Sequence, residues 1–405
     1  MIGTLTARFL GPSNFGIINY AASLVAFVLP IMQLGLRSIM VHEFVNRPTE
    51  EGRILGTSLG LSLCSAVACI IGVTSFSMIA NRGERTTIIV CFLYSLCLIF
   101  QAIEMTEYWF QAKLLSKYSS FAILIAYAVV SLLRVYLLAT SKSVYWFTIA
   151  YVIDYALIAA LLMLFYKKQG GERLSFSWAL AKAMLNKSKF YIVSTMMTTI
   201  FQQTDKIMLK LMLNEAETGY YSVAVTTTSM TAFVFMAVID SVRPTILENK
   251  KDGSENYERN ISLLYSVITY MSLAQSVVFT LLADPIIHIL YGEEYAPSIL
   301  LLRITVWYVT FSYYGMIRNI WILAEQKQKY LWIINLSGAL MNVVLNLILI
   351  PVMGAAGAAV ASLATQFFTN VIVNMIIRPI RYNNRLMLKG LNPKLLLEFI
   401  KRPAS

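Results

Sequence analysis

Residues 144–166 read VYWFTIAYVIDYALIAALLMLFY, an apolar run whose single ion is Asp154, and Lys167 and Lys168 follow at once. As a helix rising ~1.5 Å per residue, this run is about 34 Å long, enough to cross ~30 Å of hydrocarbon. Ten further stretches have the same character, near 15–34, 55–79, 87–109, 119–139, 188–212, 220–242, 262–283, 299–323, 331–350 and 356–377. The pattern predicts an all-α, polytopic membrane helix bundle with about eleven full spans.

Basic residues then orient the bundle. One set of alternate loops, with the C-terminal tail, holds 23 of the 33 lysines and arginines. They include Arg37, Arg47 and Arg53; Lys113 and Lys117; Lys167, Lys168 and Arg173; Arg243 and Lys250; Lys327 and Lys329; and seven from Arg378 to Arg402. The other set holds four, Arg8, Arg82, Arg85 and Lys142. Such a bias places the first set and the C-terminus in the cytoplasm. The net charge of +12 is then a property of loops facing anionic lipid headgroups, and in a chain with 58% hydrophobic residues no nucleic-acid partner is needed to explain it. An odd number of spans with this orientation leaves residue 1 outside, so Ile2-Gly3-Thr4-Leu5 reads as the outer end of a preceding helix, and the intact protein is expected to have twelve spans.

The chain also repeats. Residues 10–21 and 213–224 align at an offset of 203, with leucine at 10 and 213, glycine at 16 and 219, and alanine at 21 and 224. Both copies lead into a span in the same direction, which makes the halves parallel repeats. A glycine there permits a sharp turn and close helix approach. The domains expected are an N-terminal transmembrane lobe at 1–166, a linker at 167–187, a C-terminal lobe at 188–377 and a basic cytoplasmic tail at 378–405. The linker carries Phe176, Trp178, Leu180, Ala181, Met184 and Leu185 among lysines and reads as a short amphipathic helix on the inner membrane surface. The tail, with Leu395, Leu396, Phe399 and Ile400 beside Lys394, Lys401 and Arg402, reads as a second anchor.

Enzyme motifs are absent or misplaced. Gly56-Thr57-Ser58-Leu59-Gly60 matches a hydrolase G-x-S-x-G pattern, but it opens a long apolar helix instead of a strand-turn-helix elbow. Its glycines instead form a small-xxx-small face for helix packing. Cys64, Cys69, Cys91 and Cys97 lie inside apolar spans, and His42 and His288 are too few for a metal triad, so neither a disulfide framework nor a resident metal is expected. Short loops leave no room for a soluble catalytic domain.

Charges within the spans carry the functional signal, because an ion at the bilayer centre costs ~2.5–3.5 kcal/mol on insertion scales and is placed against a bundle interior or wet cavity. Gln202, Lys206 and Lys210, spaced i, i+4 and i+8, share one helix face, with Gln203 beside them. Arg134, Arg303 and Arg318 are further cations within spans or near their ends, with Asp154, Asp205, Asp240, Glu104 and Glu107 as the acids there; Asp154, Asp205 and Asp240 serve as ion pairs or bind a coupling H+ or Na+. A basic cavity suits an anionic substrate such as a diphosphate. Tyr108, Trp109, Tyr308, Ser312, Tyr313, Tyr314, Asn319, Asn342 and Asn346 are candidates for a sugar path, with belt positions and interhelical hydrogen bonds as the alternative roles.

Arg8-Phe9-Leu10-Gly11-Pro12-Ser13-Asn14-Phe15-Gly16 resembles the R-x-L-G-P-x-x-F-G signature of bacterial polysaccharide flippases, a family of the multidrug/oligosaccharidyl-lipid/polysaccharide exporter superfamily. Gln203-Thr204-Asp205-Lys206, Thr218-Gly219-Tyr220-Tyr221, Ile289-Leu290-Tyr291-Gly292 and Leu345-Asn346-Leu347-Ile348-Leu349-Ile350-Pro351 resemble later segments of the same family in the same order. Phe190-Tyr191 stands where relatives often carry a proline. The resemblance implies two six-helix lobes around a central cavity in the bacterial inner membrane. It implies no catalysis, but alternating-access transfer of an undecaprenyl-diphosphate-linked oligosaccharide, an O-antigen or capsule unit, from the inner to the outer leaflet. The alternative readings are a drug or cation antiporter of the same superfamily, which would favour an acidic, aromatic cavity, and a membrane glycan polymerase or scaffold. Glycan polymerases and other assembly proteins are the partners it implies. Lys206, Lys210, Arg134, Arg303 and Arg318 are expected to meet the diphosphate or acidic sugars, with Asp205 as a structural or coupling acid.

Overall fold

The computed structural model describes residues 2–251 and 256–396, and all regular structure among them is helical. Contacts divide the chain into two compact units, Met1–Gly219 and Tyr220–Ser405. The first holds α1 (Ile2–Met32), α2 (Leu36–Asn46), α3 (Glu51–Ala80), α4 (Arg85–Ser95), α5 (Cys97–Glu104), α6 (Glu107–Ala112), α7 (Ser116–Ala139), α8 (Val144–Lys168) and α9 (Trp178–Met212). After α10 (Glu215–Ser229), which straddles the division, the second holds α11 (Ala232–Lys251), α12 (Asn256–Leu281), α13 (Ala283–Leu290), α14 (Ser298–Ala324), α15 (Leu331–Met353), α16 (Ala355–Phe367), α17 (Val373–Ile376) and α18 (Tyr382–Gly390). The sequence reading assigned 188–212 to the second lobe, whereas α9 packs along α1 in the first unit.

Nine helical segments among the described residues are long and apolar enough to cross a membrane, or ten if α10 and α11, bent by 44°, form one span. The expected count of eleven differs by 188–212. That stretch lies in α9, which is long enough at 35 residues, but Gln202, Gln203, Asp205, Lys206 and Lys210 crowd its last turns and lower its apolarity.

Each unit is built on its own apolar core. In the first, Tyr20, Ala21, Val90, Cys91, Leu98, Phe147 and Ala150 bury one cluster, and Leu36, Met40, Ile54, Phe110, Tyr166 and Met184 a second. In the second, Ile261, Ile268, Ile317, Trp321, Ile334 and Leu386 do the same. Many large apolar side chains on the helix exteriors remain exposed, among them Ile71, Leu132, Phe233 and Val352, as a lipid-facing surface requires.

The linker departs from the surface helix expected. After α8, residues 172–176 run extended along α3, where the Ser175 amide donates to the Gly52 carbonyl at 3.1 Å and the Ser177 amide to Thr57 Oγ1 at 3.0 Å. Ser177 caps α9, its Oγ accepting from the Leu180 amide at 3.4 Å. The residues read as an amphipathic anchor are therefore an extended strap followed by the first turns of α9, which has no proline at 190–191 and continues unbroken to Met212. Gly56 and Gly60 do make a small-residue face, but it receives the backbone of Ser175 and the ring of Phe176 in place of a helix. In the tail, α18 packs on α12, while Phe399, Ile400, Lys401 and Arg402 lie outside the described residues.

The repeat has a structural counterpart. α1 is broken at Gly11, whose φ of 72° is open to glycine, and Pro12 starts the next turn. A methyl group on Gly16 would overlap the Glu215 carbonyl oxygen, and one on Gly219 would overlap the carbonyl of Pro12. Positions 12 and 215 are themselves related by the offset of 203, so the two copies meet reciprocally through their shared glycine.

Candidate functional site

α9 presents the polar face its spacing predicts, but the structure separates its members by partner. Lys210 is 4% exposed and its Nζ lies 2.7 Å from Glu84 Oε2 and 3.1 Å from Glu215 Oε1. Burial raises the Glu84 pKa, but the hydrogen bond and charge of Lys210 outweigh it and hold that carboxyl below its ordinary value. One turn earlier, Lys206 is half-buried and makes no ion pair within 4.0 Å and no hydrogen bond among the described residues. Gln202 is exposed, Gln203 half-buried and Asp205 buried. Lys206 thus meets only the charge of the neighbouring Asp205 carboxylate and makes no direct ion pair among the described residues, whereas Lys210 is committed to two carboxylates.

Arg134 on α7 and Asp154 on α8 are brought together by the packing of those helices. Arg134 Nη2 stands 3.7 Å from Asp154 Oδ2, and the guanidinium lies 4.3 Å from the centre of the Tyr151 ring. Its Nε is buried without a hydrogen-bond partner, so the pair is loose and leaves one donor unmet. Near it, Gln33, Arg37, Gln101, Glu104, Glu107, Tyr108 and Tyr155 line a cavity of about 250 Å³. Gln101 Oε1 is buried there without a partner, and Glu107 accepts from Gln111 at 2.8 Å. Gln101, Glu104 and Tyr108, spaced i, i+3 and i+7, were legible as one polar helix face, and sequence reasoning did not join them. Trp109, by contrast, is buried and donates its Nε1–H to Glu51 Oε2 at 2.8 Å, a structural role.

In the second unit, Arg318 is 4% exposed on α14, and no carboxylate pairs with it among the described residues. Its Nη1 donates to Asn370 Oδ1 at 2.8 Å and to the Thr369 carbonyl at 3.2 Å; Nε and Nη2 donate to Asn319 Oδ1 at 3.3 and 3.0 Å. Asn370 sits in a π-helical turn, Phe368–Ile372, which widens the helix at the point where it meets the guanidinium. Gly315 and Gly338 leave the space: a methyl on Gly315 would stand 2.6 Å from Asn370 Oδ1, and one on Gly338 2.8 Å from Thr369 Oγ1. No sequence signal marked Asn370 or its wide turn.

Arg303 and Asp240 are exposed, on α14 and α11. Tyr313 is stacked on Phe235 with ring centres 4.4 Å apart, and Tyr314 shares a hydrogen bond of 2.7 Å with Thr269. Asn346 donates to Asn342 at 3.2 Å. These four belong to the packed core of the second unit, so hydrogen bonding and packing account for them. Among the described residues no group of His, Cys, Asp and Glu is arranged to hold a metal ion.

Comparison with known proteins places this arrangement. Residues 5–300 match the polysaccharide biosynthesis protein family. Over 197 residues, 48% of this chain and 41% of the relative, the sequence is 25% identical to a probable low-salt glycan biosynthesis flippase, Agl15, of Haloferax volcanii; the match thus spans about two fifths of that relative's length. Among solved structures, the inward-facing conformation of a multidrug resistance MATE family transporter of the MOP superfamily is similar with a TM-score of 0.76, 11% identity, and coverage of 96% of this chain and 94% of that one. The lipid II flippase MurJ in an inward closed conformation gives 0.70, 14%, and coverage of 100% and 93%. At these identities the likeness is one of fold.

Proposed function

Because the chain belongs to the polysaccharide biosynthesis protein family and is a multi-pass membrane helix bundle, we propose that it is a flippase that moves a lipid-linked glycan between leaflets. The cargo is an oligosaccharide on undecaprenyl diphosphate, an O-antigen or capsule unit, carried by alternating access across the bacterial cytoplasmic membrane with the C-terminus inside. The loop bias of 23 basic residues to four supports that orientation. The single observation that carries the reading is Lys206: a half-buried ammonium on a long helix, offset by the neighbouring Asp205 carboxylate but in no ion pair within 4.0 Å among the described residues, suits an anionic ligand. Arg303 is the corresponding exposed cation of the second unit. Both structural neighbours move a solute or a lipid and neither is a catalyst by description, and we assign no reaction to this chain. The Arg134–Asp154 pair is loose enough for Asp154 to exchange its partner for a coupling H+ or Na+.

The test is complementation of a flippase-null bacterium, with surface glycan and inner-leaflet lipid-linked intermediate both quantified. Restored surface glycan with falling intermediate is expected, and Lys206→Ala and Arg303→Ala are expected to lose it while still inserting. Normal export by both variants would remove the cationic site from the mechanism.

A further inference from the structure

A charged groove in the second unit lies apart from the cations of the candidate site. α18 packs against the first turns of α12, and between them Glu258, Arg259, Ser262, Tyr382, Arg385, Leu388, Lys389, Asn392, Lys394 and Leu395 line a cavity of about 880 Å³. The close approach depends on Gly390, where a methyl group would stand 2.6 Å from the Ser262 carbonyl oxygen.

Among the described residues the charges of the groove do not balance. Glu258, the one carboxylate among its described lining residues, is already engaged: the Tyr382 hydroxyl donates to Oε1 at 2.6 Å, and Lys389 Nζ lies 3.6 Å from Oε2. Arg259, Arg385 and Lys394 have no ion pair within 4.0 Å among the described residues, so three positive charges face one space. At its floor, Ser262 is 3% exposed, and its Oγ is buried without a hydrogen-bond partner. A buried hydroxyl left unmet beside uncompensated cations is the complement of an anion with several acceptor oxygens. The rim has a different chemistry. Leu388 is 53% exposed, and α12, long and apolar enough to cross a membrane, starts at this point. A soluble anion has no use for that apolar rim, whereas a phosphate with acyl chains matches both parts.

We propose that this groove binds the phosphate of a lipid headgroup from the adjoining leaflet, the cytoplasmic one in the orientation above, with Arg259, Arg385, Lys394 and Ser262 on the phosphate and Leu388 at the acyl chain. The site goes beyond the transport reading and does not require it, since lipid binding here stands even if complementation fails. Two lipids share the chemistry, a bulk anionic phospholipid and a diphosphate-linked carrier awaiting transport.

The experiment uses the full-length protein in neutral detergent, titrated separately with phosphatidylglycerol, undecaprenyl diphosphate and inorganic diphosphate, with retention read by native mass spectrometry and stabilisation by thermal unfolding. In the triple variant Arg259→Gln, Arg385→Gln, Lys394→Gln, lipid retention is expected to weaken about tenfold or more. The Arg385→Lys protein, which keeps the charge, controls for folding. Loss for both lipids assigns the groove to anionic lipids at large, and loss for the diphosphate lipid alone assigns it to cargo capture. Retention of inorganic diphosphate without either lipid overturns the lipid assignment, and unchanged retention of every probe in a folded triple variant overturns the site.

Discussion

Lys210 and Arg318 are each 4% exposed on a long helix, yet they are accommodated in opposite ways. Lys210 is neutralised by Glu84 at 2.7 Å and Glu215 at 3.1 Å. Arg318 is held by amide and carbonyl oxygens of Asn319, Thr369 and Asn370, which satisfy its donors and leave its charge standing. Hydrogen bonds and charge balance are separate requirements of a buried cation, and the comparison shows that this protein meets both at one site and only the first at the other. The ammonium is a compact point charge that two carboxylates suit; the planar guanidinium spreads its donors over three acceptors.

The largest expected effect comes from stripping Lys210 of its partners. Glu84→Gln together with Glu215→Gln strands a buried ammonium and should cost about 3–5 kcal/mol, read as a lowered unfolding midpoint in detergent. A second break targets the other site: Arg318→Lys keeps the charge and loses the fork to Asn370 and the Thr369 carbonyl. A loss of about 1.5–3 kcal/mol is expected, and an unchanged midpoint would mean that those bonds contribute nothing. Gly315→Ala leaves every charge in place and pushes on Asn370, so it separates packing from electrostatics; about 1–3 kcal/mol of destabilisation is expected by the same measurement.

Acid sharpens the contrast with the smallest effect. Glu84 has a depressed pKa in the folded protein, so its contribution is present above the ordinary glutamate value of about 4.3 and is lost as pH falls through the folded value. Its side chain is 41% exposed, and solvent screening keeps the contribution under about 1 kcal/mol. Unfolding midpoints of the wild type and Glu84→Gln should converge below that window, whereas Arg318→Lys and the wild type should keep their separation, because no carboxylate pairs with Arg318 among the described residues.

Most of the architecture was legible in residue order. Apolar runs such as 144–166 recur as α8 and its counterparts, because hydrophobic length is a local property of the chain. The glycines at 16 and 219 were legible as a repeat, and their reciprocal contact follows from the same missing side chain. The strap at 172–176 was not, since an extended segment on α3 satisfies its backbone through Gly52 and Thr57, which lie 120 or more residues away. For the candidate site, sequence singled out Lys206, Lys210, Arg134 and Arg318 as ions in spans and gave them one role; all four lie in helices. Only distant partners divided them.

The sequence by itself determined the helical class, the near-bilayer span lengths, the repeat and the loop charge bias, all of which depend on residue type and spacing along one chain. Tertiary structure decided which buried cations are paired, where α9 packs, how Asn370 reaches Arg318 through a π turn, and which tail residues close a groove on α12. The reason is physical: hydrophobic periodicity sums over neighbours in sequence, whereas the cost of a buried charge is set by the few polar atoms within about 4 Å, and these come from elsewhere in the chain.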